Sequence, residues 1–345
     1  MSTREGLIAV EQQILLQAAS AYFGVRQEEE NVSLQRSNLR LITEELRAAE
    51  DRFEVGEVTR TDVAQAQARL AEARSGLAAS MGDLVQAQEA YAAVVGRKPG
   101  RLAAPGRLPR FETSVARAKQ IALRDHPDIK QAQHTVAAAD LSVEQAKRLT
   151  SPTISLTGNV TNTNTLSERA FTESASVGIQ ATGPIYQGGA LASQARAAIA
   201  NRDAQRGNLR AVADVVSQNV GNAYALLQVA QVQLDETAVQ IRAAQVAFDG
   251  VREEATLGAR TTLDVLDTEQ ALLNARAARI TAQANRNIAA YQVLASLGQM
   301  TATNLKLGVQ QYDPSAYYNL VKDAPRAKSE QGRKLDKVLR SLQRN

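Results

Sequence analysis

Residues 52–63 read RFEVGEVTRTDV, and residues 254–265 read EATLGARTTLDV. Aligned without a gap, they match Gly56 to Gly258, Thr59 to Thr261 and Asp62-Val63 to Asp264-Val265. The same offset of 202 residues holds on both sides of this break. Upstream, Ser20-Ala21-Tyr22 meets Asn222-Ala223-Tyr224. Downstream, Leu70, Ala73 and Arg74 meet Leu272, Ala275 and Arg276, and Gly96 closes one copy as Gly298 closes the other. A gap-free repeat of this length sets the architecture before any local motif does. Each copy flanks a short Gly/Thr break with long Pro-free segments, the pattern of a helical hairpin.

The flanks extend this reading. Residues 1–54 carry a helical period, and a second helix is expected from about Thr61 to Val95. Gly96 and RKPGRLAAPGRLP end it, because Pro and Gly terminate helices. Short helices are expected over 115–124 and, after the His126-Pro127 break, over 128–149. Residues 190–256 form one Pro-free helix, roughly 100 Å long at ~1.5 Å per residue. The return helix, 262–297, has a heptad seam of Leu266, Leu273, Ile280 and Leu294, with Asn287 as its polar member. Leu263, Ala277, Ala284 and Tyr291 make a second seam.

Between the hairpins the texture changes. Residues 153–160 read TISLTGNV and residues 176–185 read SVGIQATGPI, both alternating apolar with small or polar residues. A period of two means strand. The polar stretch NTNTLSERAFTE suits a hairpin loop, and each strand reaches the length a tilted strand needs to cross a bilayer. The chain thus divides into a first hairpin (1–96), linker and short helices (97–150), a strand pair (151–189), a second hairpin (190–298) and a basic tail (299–345). The last twelve residues read as a short basic amphipathic helix or a loose tail.

Composition narrows the function. Aromatics are 4% and Trp is absent, whereas Ala dominates the long segments, which suits closely packed coiled coils. Zero Cys excludes disulfides and thiolate metal sites, and two His exclude a histidine-rich metal centre. His126 and His134, eight residues apart, read as surface residues and not as a metal pair. The net charge of +4 is local. Residues 313–345 hold eight Lys/Arg against four Asp/Glu, so the body is balanced and a nucleic-acid partner is not expected. No run reaches the ~18 apolar residues of a membrane helix. Nothing in the sequence offers a nucleophile or cofactor site, so neither enzyme nor cofactor is expected.

On these residues the chain resembles the TolC-like outer-membrane efflux and secretion proteins. Four elements carry the resemblance: the paired tips Glu54–Val63 and Thr256–Leu266, the junction GPIYQGG at 183–189, ALRDHPDIKQAQ leading to SPTISLTG, and the repeat itself. The family implies a mainly α fold of long antiparallel coiled-coil hairpins in a two-fold internal repeat. Its strand pair would contribute to a trimeric outer-membrane β-barrel of twelve strands, four from each protomer. It implies a passive exit duct, gated at its periplasmic end, in a tripartite efflux pump or type I secretion system. The implied partners are a homotrimer, a periplasmic adaptor, an ABC or proton-driven inner-membrane transporter, and outer-membrane lipid. A periplasmic adaptor and a soluble coiled-coil scaffold are the competing readings.

The resemblance also nominates residues. Arg260, Asp62, Asp264 and Asp267 match the entrance gate, where an Arg of the second hairpin bonds an Asp of the first and further Asp residues ring the mouth. A Tyr that often shares this latch is Ala255 here. Asp264 and Asp267 are three apart and share a helix face. Read from the residues alone, these charges cap helix ends, where early acids are stabilising. Gly56, Thr59, Gly258 and Thr261 are candidates for adaptor docking, or simply make the turns. Pro184, Gly188 and Gly189 mark the strand-to-helix junction. Subtracting 202 from the strand pair places its repeat counterpart before Met1. The expectation is therefore a chain N-terminally truncated relative to the family, through a truncated reading frame or an artificially shortened chain, that lacks its first strand pair, the preceding helix and any signal peptide.

Overall fold

The computed structural model describes residues 2–165 and 170–309, together with positions 318, 319, 330, 332–334, 337 and 338. The expected C-terminal tail lies largely outside the described residues. In chain order the elements are α1 (Ser2–Glu54), α2 (Arg60–Val95), α3 (Val115–Asp125), α4 (Pro127–Arg148), β1 (Thr153–Thr165), β2 (Ala170–Thr182), α5 (Ala190–Thr256) and α6 (Thr262–Ser296). The helical hairpins stand where the repeat places them, and the helix ends agree with the expectation to within about a residue. His126 is extended (φ −62°, ψ 131°), as the residue before a proline is pushed to be. Pro127 then opens α4, where its missing N–H costs nothing.

The strands depart from the expectation. β1 runs on to Thr165 and β2 begins at Ala170, so most of the polar stretch expected as a loop is ladder. Strand pairing is made by backbone groups, so a stretch rich in Thr and Asn does not oppose it. β2 stops at Thr182 and not at Ile185, because Pro184 has no N–H to donate. The register is antiparallel and unbroken, from Thr153 opposite Thr182 to Thr165 opposite Ala170.

The chain forms two compact units. One holds the described residues of 128–215 with residues 2 and 3, and the other holds 4–127 with the described residues from 216 onward. In the first unit, α4 buries Ile129, Ala132, Ala139 and Val143 at helical spacing. Arg206 of α5 pairs with Asp140 of α4 at 3.2 Å.

In the second unit, α6 is the central helix. Leu266 joins Ile42 and Ala49 of α1 and Ala66, Leu70 and Ala73 of α2 in one core cluster. On another side of α6, Val265 and Leu272 pack with Phe248 of α5, supported by Leu41 of α1. The heptad seam is therefore real, with Leu266, Leu273, Asn287 and Leu294 buried, but α6 has a second buried side that the heptad alone does not show. Leu263 of the expected second seam is exposed, because it lies in the first turn of α6 beside the break.

Near the ends of the hairpins that close at Gly96 and Gly298, contacts of long sequence separation tie the second unit together. Gln12 donates from Nε2 to the Gly298 carbonyl at 3.0 Å, and the Ala302 N–H donates to Glu11 Oε1 at 2.7 Å. Gly298 has φ +75°, and a Cβ there would lie 3.0 Å from the His126 Cα and 3.1 Å from the Pro127 Cδ. Its repeat mate Gly96 also has positive φ (+81°) but has open space around it. His126 and His134, expected on the surface, are half-buried, His126 because it packs against this glycine. The repeat-mate tyrosines grip the stretch between α2 and α3. Tyr22 donates its hydroxyl to the Ala103 carbonyl at 2.5 Å, and Tyr224 donates to the Glu112 carbonyl. Burial raises the pKa of both hydroxyls, so both stay protonated donors.

Candidate functional site

The two tips are built alike, atom for atom. At the first, Gly56 (φ +78°) donates to the Phe53 carbonyl and Glu57 donates to the Arg52 carbonyl. At the second, Gly258 (φ +72°) donates to Ala255 and Ala259 donates to Glu254, each pair 202 residues on. A left-handed residue satisfies the last carbonyls of a helix at the lowest cost when it is Gly. The next helix then starts with a capping box. Thr59 N–H donates to Asp62 Oδ2 at 2.8 Å while Asp62 N–H donates to Thr59 Oγ1 at 3.3 Å. Thr261 and Asp264 repeat this at 3.0 and 3.3 Å. The backbone N–H and hydroxyl of Thr261, with a smaller pull from Arg260, hold the Asp264 carboxyl below the usual carboxylate range.

The four charges nominated for a gate are thus distributed as follows. Asp62 and Asp264 serve their own helix ends. Arg260 bonds within its own hairpin, from Nε to Glu254 Oε2 at 2.8 Å. Asp267 accepts from Arg69 Nη2 at 2.7 Å, and Arg69 also pairs with Glu72 at 3.0 Å. A cross-hairpin tie therefore exists between Arg69 of α2 and Asp267 of α6, an Arg of the first hairpin and an Asp of the second. Arg69 was not nominated from the sequence. Its repeat mate is Ala271, so the repeat carries no signal for it. Gly56, Thr59, Gly258 and Thr261 are all exposed at the tips.

The strand pair supplies a second candidate surface. Directly paired residues share a face, and faces alternate along a strand. Ile154 pairs with Ala181, Leu156 with Ile179, Gly158 with Val177 and Val160 with Ala175, which makes an apolar band on one face, ended by the polar pair Asn162–Glu173. Ser155 pairs with Gln180, Thr157 with Gly178, Asn159 with Ser176 and Thr161 with Ser174, which makes the other polar. The large residues of the apolar face are 73–81% exposed. A contiguous bare apolar face of this kind marks an interaction surface. The sheet has two strands among the described residues, so each strand keeps one unpaired edge. After β2, Gly188 (φ +56°) and Gly189 (φ +83°) turn the chain into α5, and Ile185 and Tyr186 between them and Pro184 are fully or nearly fully exposed. No described helix is long and apolar enough to cross a membrane.

Repeated helical hairpins with matching capped tips, carrying a strand pair of one apolar and one polar face, define a class of membrane-associated hairpin protein. The chain belongs to the outer membrane efflux protein family, whose model matches residues 2–97 and 118–299. It is 36% identical over 322 residues to the outer membrane efflux protein BepC of Brucella suis, covering 93% of this chain and 71% of that one. It is 25% identical to the outer membrane protein TolC of Escherichia coli, covering 86% of this chain and 63% of TolC. A crystal structure of a membrane protein from Pseudomonas aeruginosa superposes with a TM-score of 0.76 at 20% identity, over 86% of this chain and 68% of that one. That likeness shows the shared fold. The chain is thus an outer-membrane channel protein of the TolC-like type that serves efflux or type I secretion systems.

Proposed function

We propose that the chain is the subunit of a passive, homotrimeric exit duct that draws its membrane wall from the β1–β2 pair. The observation that carries this reading is the two-faced strand pair. Its apolar face suits lipid and its polar face suits a water-filled lumen. An open strand edge is costly in hydrocarbon, so the pair functions only within a larger closed sheet made with other strands. The exposed Ile185 and Tyr186 suit the membrane–water boundary beside it. A periplasmic adaptor or a soluble scaffold has no use for such a pair.

The hairpins form the periplasmic part in this proposal, and their tips form its entrance. Asp62, Arg260, Asp264 and Asp267 are the gate charges, with Arg69 added as the tie that holds Asp267. Carboxylates repeated around a trimer would favour cations at the mouth. Gly56, Thr59, Gly258 and Thr261 present the surface for a periplasmic adaptor, which links the duct to an inner-membrane transporter. The duct reading predicts extraction from outer membranes only with detergent, and stepwise ion conductance in planar bilayers. Arg260→Ala raises the conductance. A fully soluble, non-conducting protein overturns the duct, and unchanged conductance in Arg260→Ala removes Arg260 from the gate.

A further inference from the structure

Glu269 lies on α6 one turn beyond Leu266, in the seam that faces α1. It is 3% exposed, and neither carboxyl oxygen has a hydrogen-bond partner among the protein's groups. A buried carboxylate without partners is costly, whereas its protonated form is far cheaper to keep there. Glu269 borders two small cavities lined by both apolar and polar side chains. One, about 130 Å³, is shared with Gln35, Asn38, Arg69 and Glu72, and the other, about 310 Å³, with Arg40, Glu44 and Arg276.

The charges around it come from all four helices of this layer. From α1 come Arg40, Glu44 and Glu45, and from α2 come Arg69 and Glu72. From α5 comes Arg252, and α6 itself adds Asp267 and Arg276. These form a balanced set of four arginines and four carboxylates without Glu269. Three of the arginines already have partners. Arg69 holds Asp267 and Glu72, Arg252 holds Glu45 at 3.4 Å, and Arg276 donates to Gln245 Oε1 at 2.8 Å. Glu269 is the surplus acid of the layer.

We propose that Glu269 is a protonation switch for the packing of the first hairpin on α6. With its proton it sits neutral in a balanced layer and the four helices stay packed. Without it the layer holds an uncompensated buried charge, and α1 and α2 loosen from α6. Burial first, and Glu45 second, push the carboxyl up to about 8, against the pull of Arg252 and Arg69. The sign follows from linkage. A group whose folded pKa is raised adds stability in full below its unfolded value, and that stability is lost as pH rises toward the folded value. Packing is therefore tightest in mild acid, weakens up to about tenfold per pH unit from about pH 5 to 8, and levels off above.

Amide hydrogen exchange, corrected for its intrinsic pH dependence, tests this on the whole protein. Protection in α2 and in α6 near residue 269 should fall progressively between pH 5.5 and 7.5, and Glu269→Gln should abolish that fall. Equal pH dependence in the wild type and Glu269→Gln overturns the switch. Should the amide fail to fold, Glu269→Leu removes the same titration beside Leu266 and Leu273 and must give the same flat profile. Infrared spectroscopy provides a direct readout. A protonated-carboxyl band present at pH 6.5 in the wild type and missing from the variant supports the assignment, and its absence from the wild type sinks it. Neither readout requires conductance, so the outcome stands apart from the duct reading.

Discussion

Leu156→Arg and Thr157→Arg place the same charge on neighbouring residues of β1, on opposite faces of the pair. On the apolar face, the run from Ile154 to Val160 spans six residue steps. At ~3.4 Å per step and a tilt of about 40°, that gives an apolar band of roughly 16 Å along the membrane normal. Leu156 is one step from the middle of the run, roughly 3 Å from its centre by the same geometry. An arginine on the lipid face costs about 2–4 kcal/mol near the midplane and about 0–1 kcal/mol at the interfaces. Leu156→Arg therefore carries nearly the full penalty for each chain, on the order of a 30- to 1000-fold loss in the folding constant. Thr157→Arg lies on the polar face, the lumen side of the proposed duct, and should cost less than about 0.5 kcal/mol. Denaturant titration in lipid vesicles measures both, and recovery of folded protein from outer membranes checks the ranking. Equal costs for the two variants, or a larger one for Thr157→Arg, would refute the assignment of faces.

Thr59→Ala and Thr261→Ala each remove a capping box and should cost about 1 kcal/mol, seen as faster amide exchange in the first turns of α2 and α6. The contribution of Asp264 to its cap is present above its unfolded pKa and lost as pH falls through its lowered folded value, so acid should mimic Thr261→Ala. A double-mutant cycle on Arg69→Ala and Asp267→Ala should return about 0.5 kcal/mol or less, since the side chains are 29% and 58% exposed. A coupling energy of several kcal/mol would show that this tie is desolvated in the assembled protein. Tyr224→Phe should lower stability by about 1 kcal/mol in thermal melting, through its lost bond to the Glu112 carbonyl.

How much was legible beforehand follows from where the physics is local. The tips were legible because a Gly in the left-handed region and a Thr-x-x-Asp cap act within a few residues, and the repeat states each of them twice. The long helices were legible because Pro and Gly bound them. Strand ends were not, since the Thr- and Asn-rich stretches carry no apolar alternation while their backbone pairs as well as any. Arg69 and Glu269 were invisible for another reason. Their roles depend on which turn of α2 and of α1 meets which turn of α6, and that register is set by packing. Glu269 left one trace, an acid three residues after Leu266, between the seam leucines Leu266 and Leu273. Arg260 shows the converse. It is the arginine beside the break, but Glu254 on its own hairpin lies within reach.

Gly96 and Gly298 occupy equivalent places in the repeat and are under different constraints. At Gly96 the backbone alone asks for glycine, so asparagine, which tolerates the left-handed region, is an acceptable replacement. At Gly298 the His126 backbone and the Pro127 ring crowd the space where a Cβ would go, so another residue fits only if His126-Pro127 gives way. The two copies have thus drifted apart in what selection can still change. One glycine remains negotiable, while the other has become a fixed point that binds the end of the second hairpin to the segment between α3 and α4.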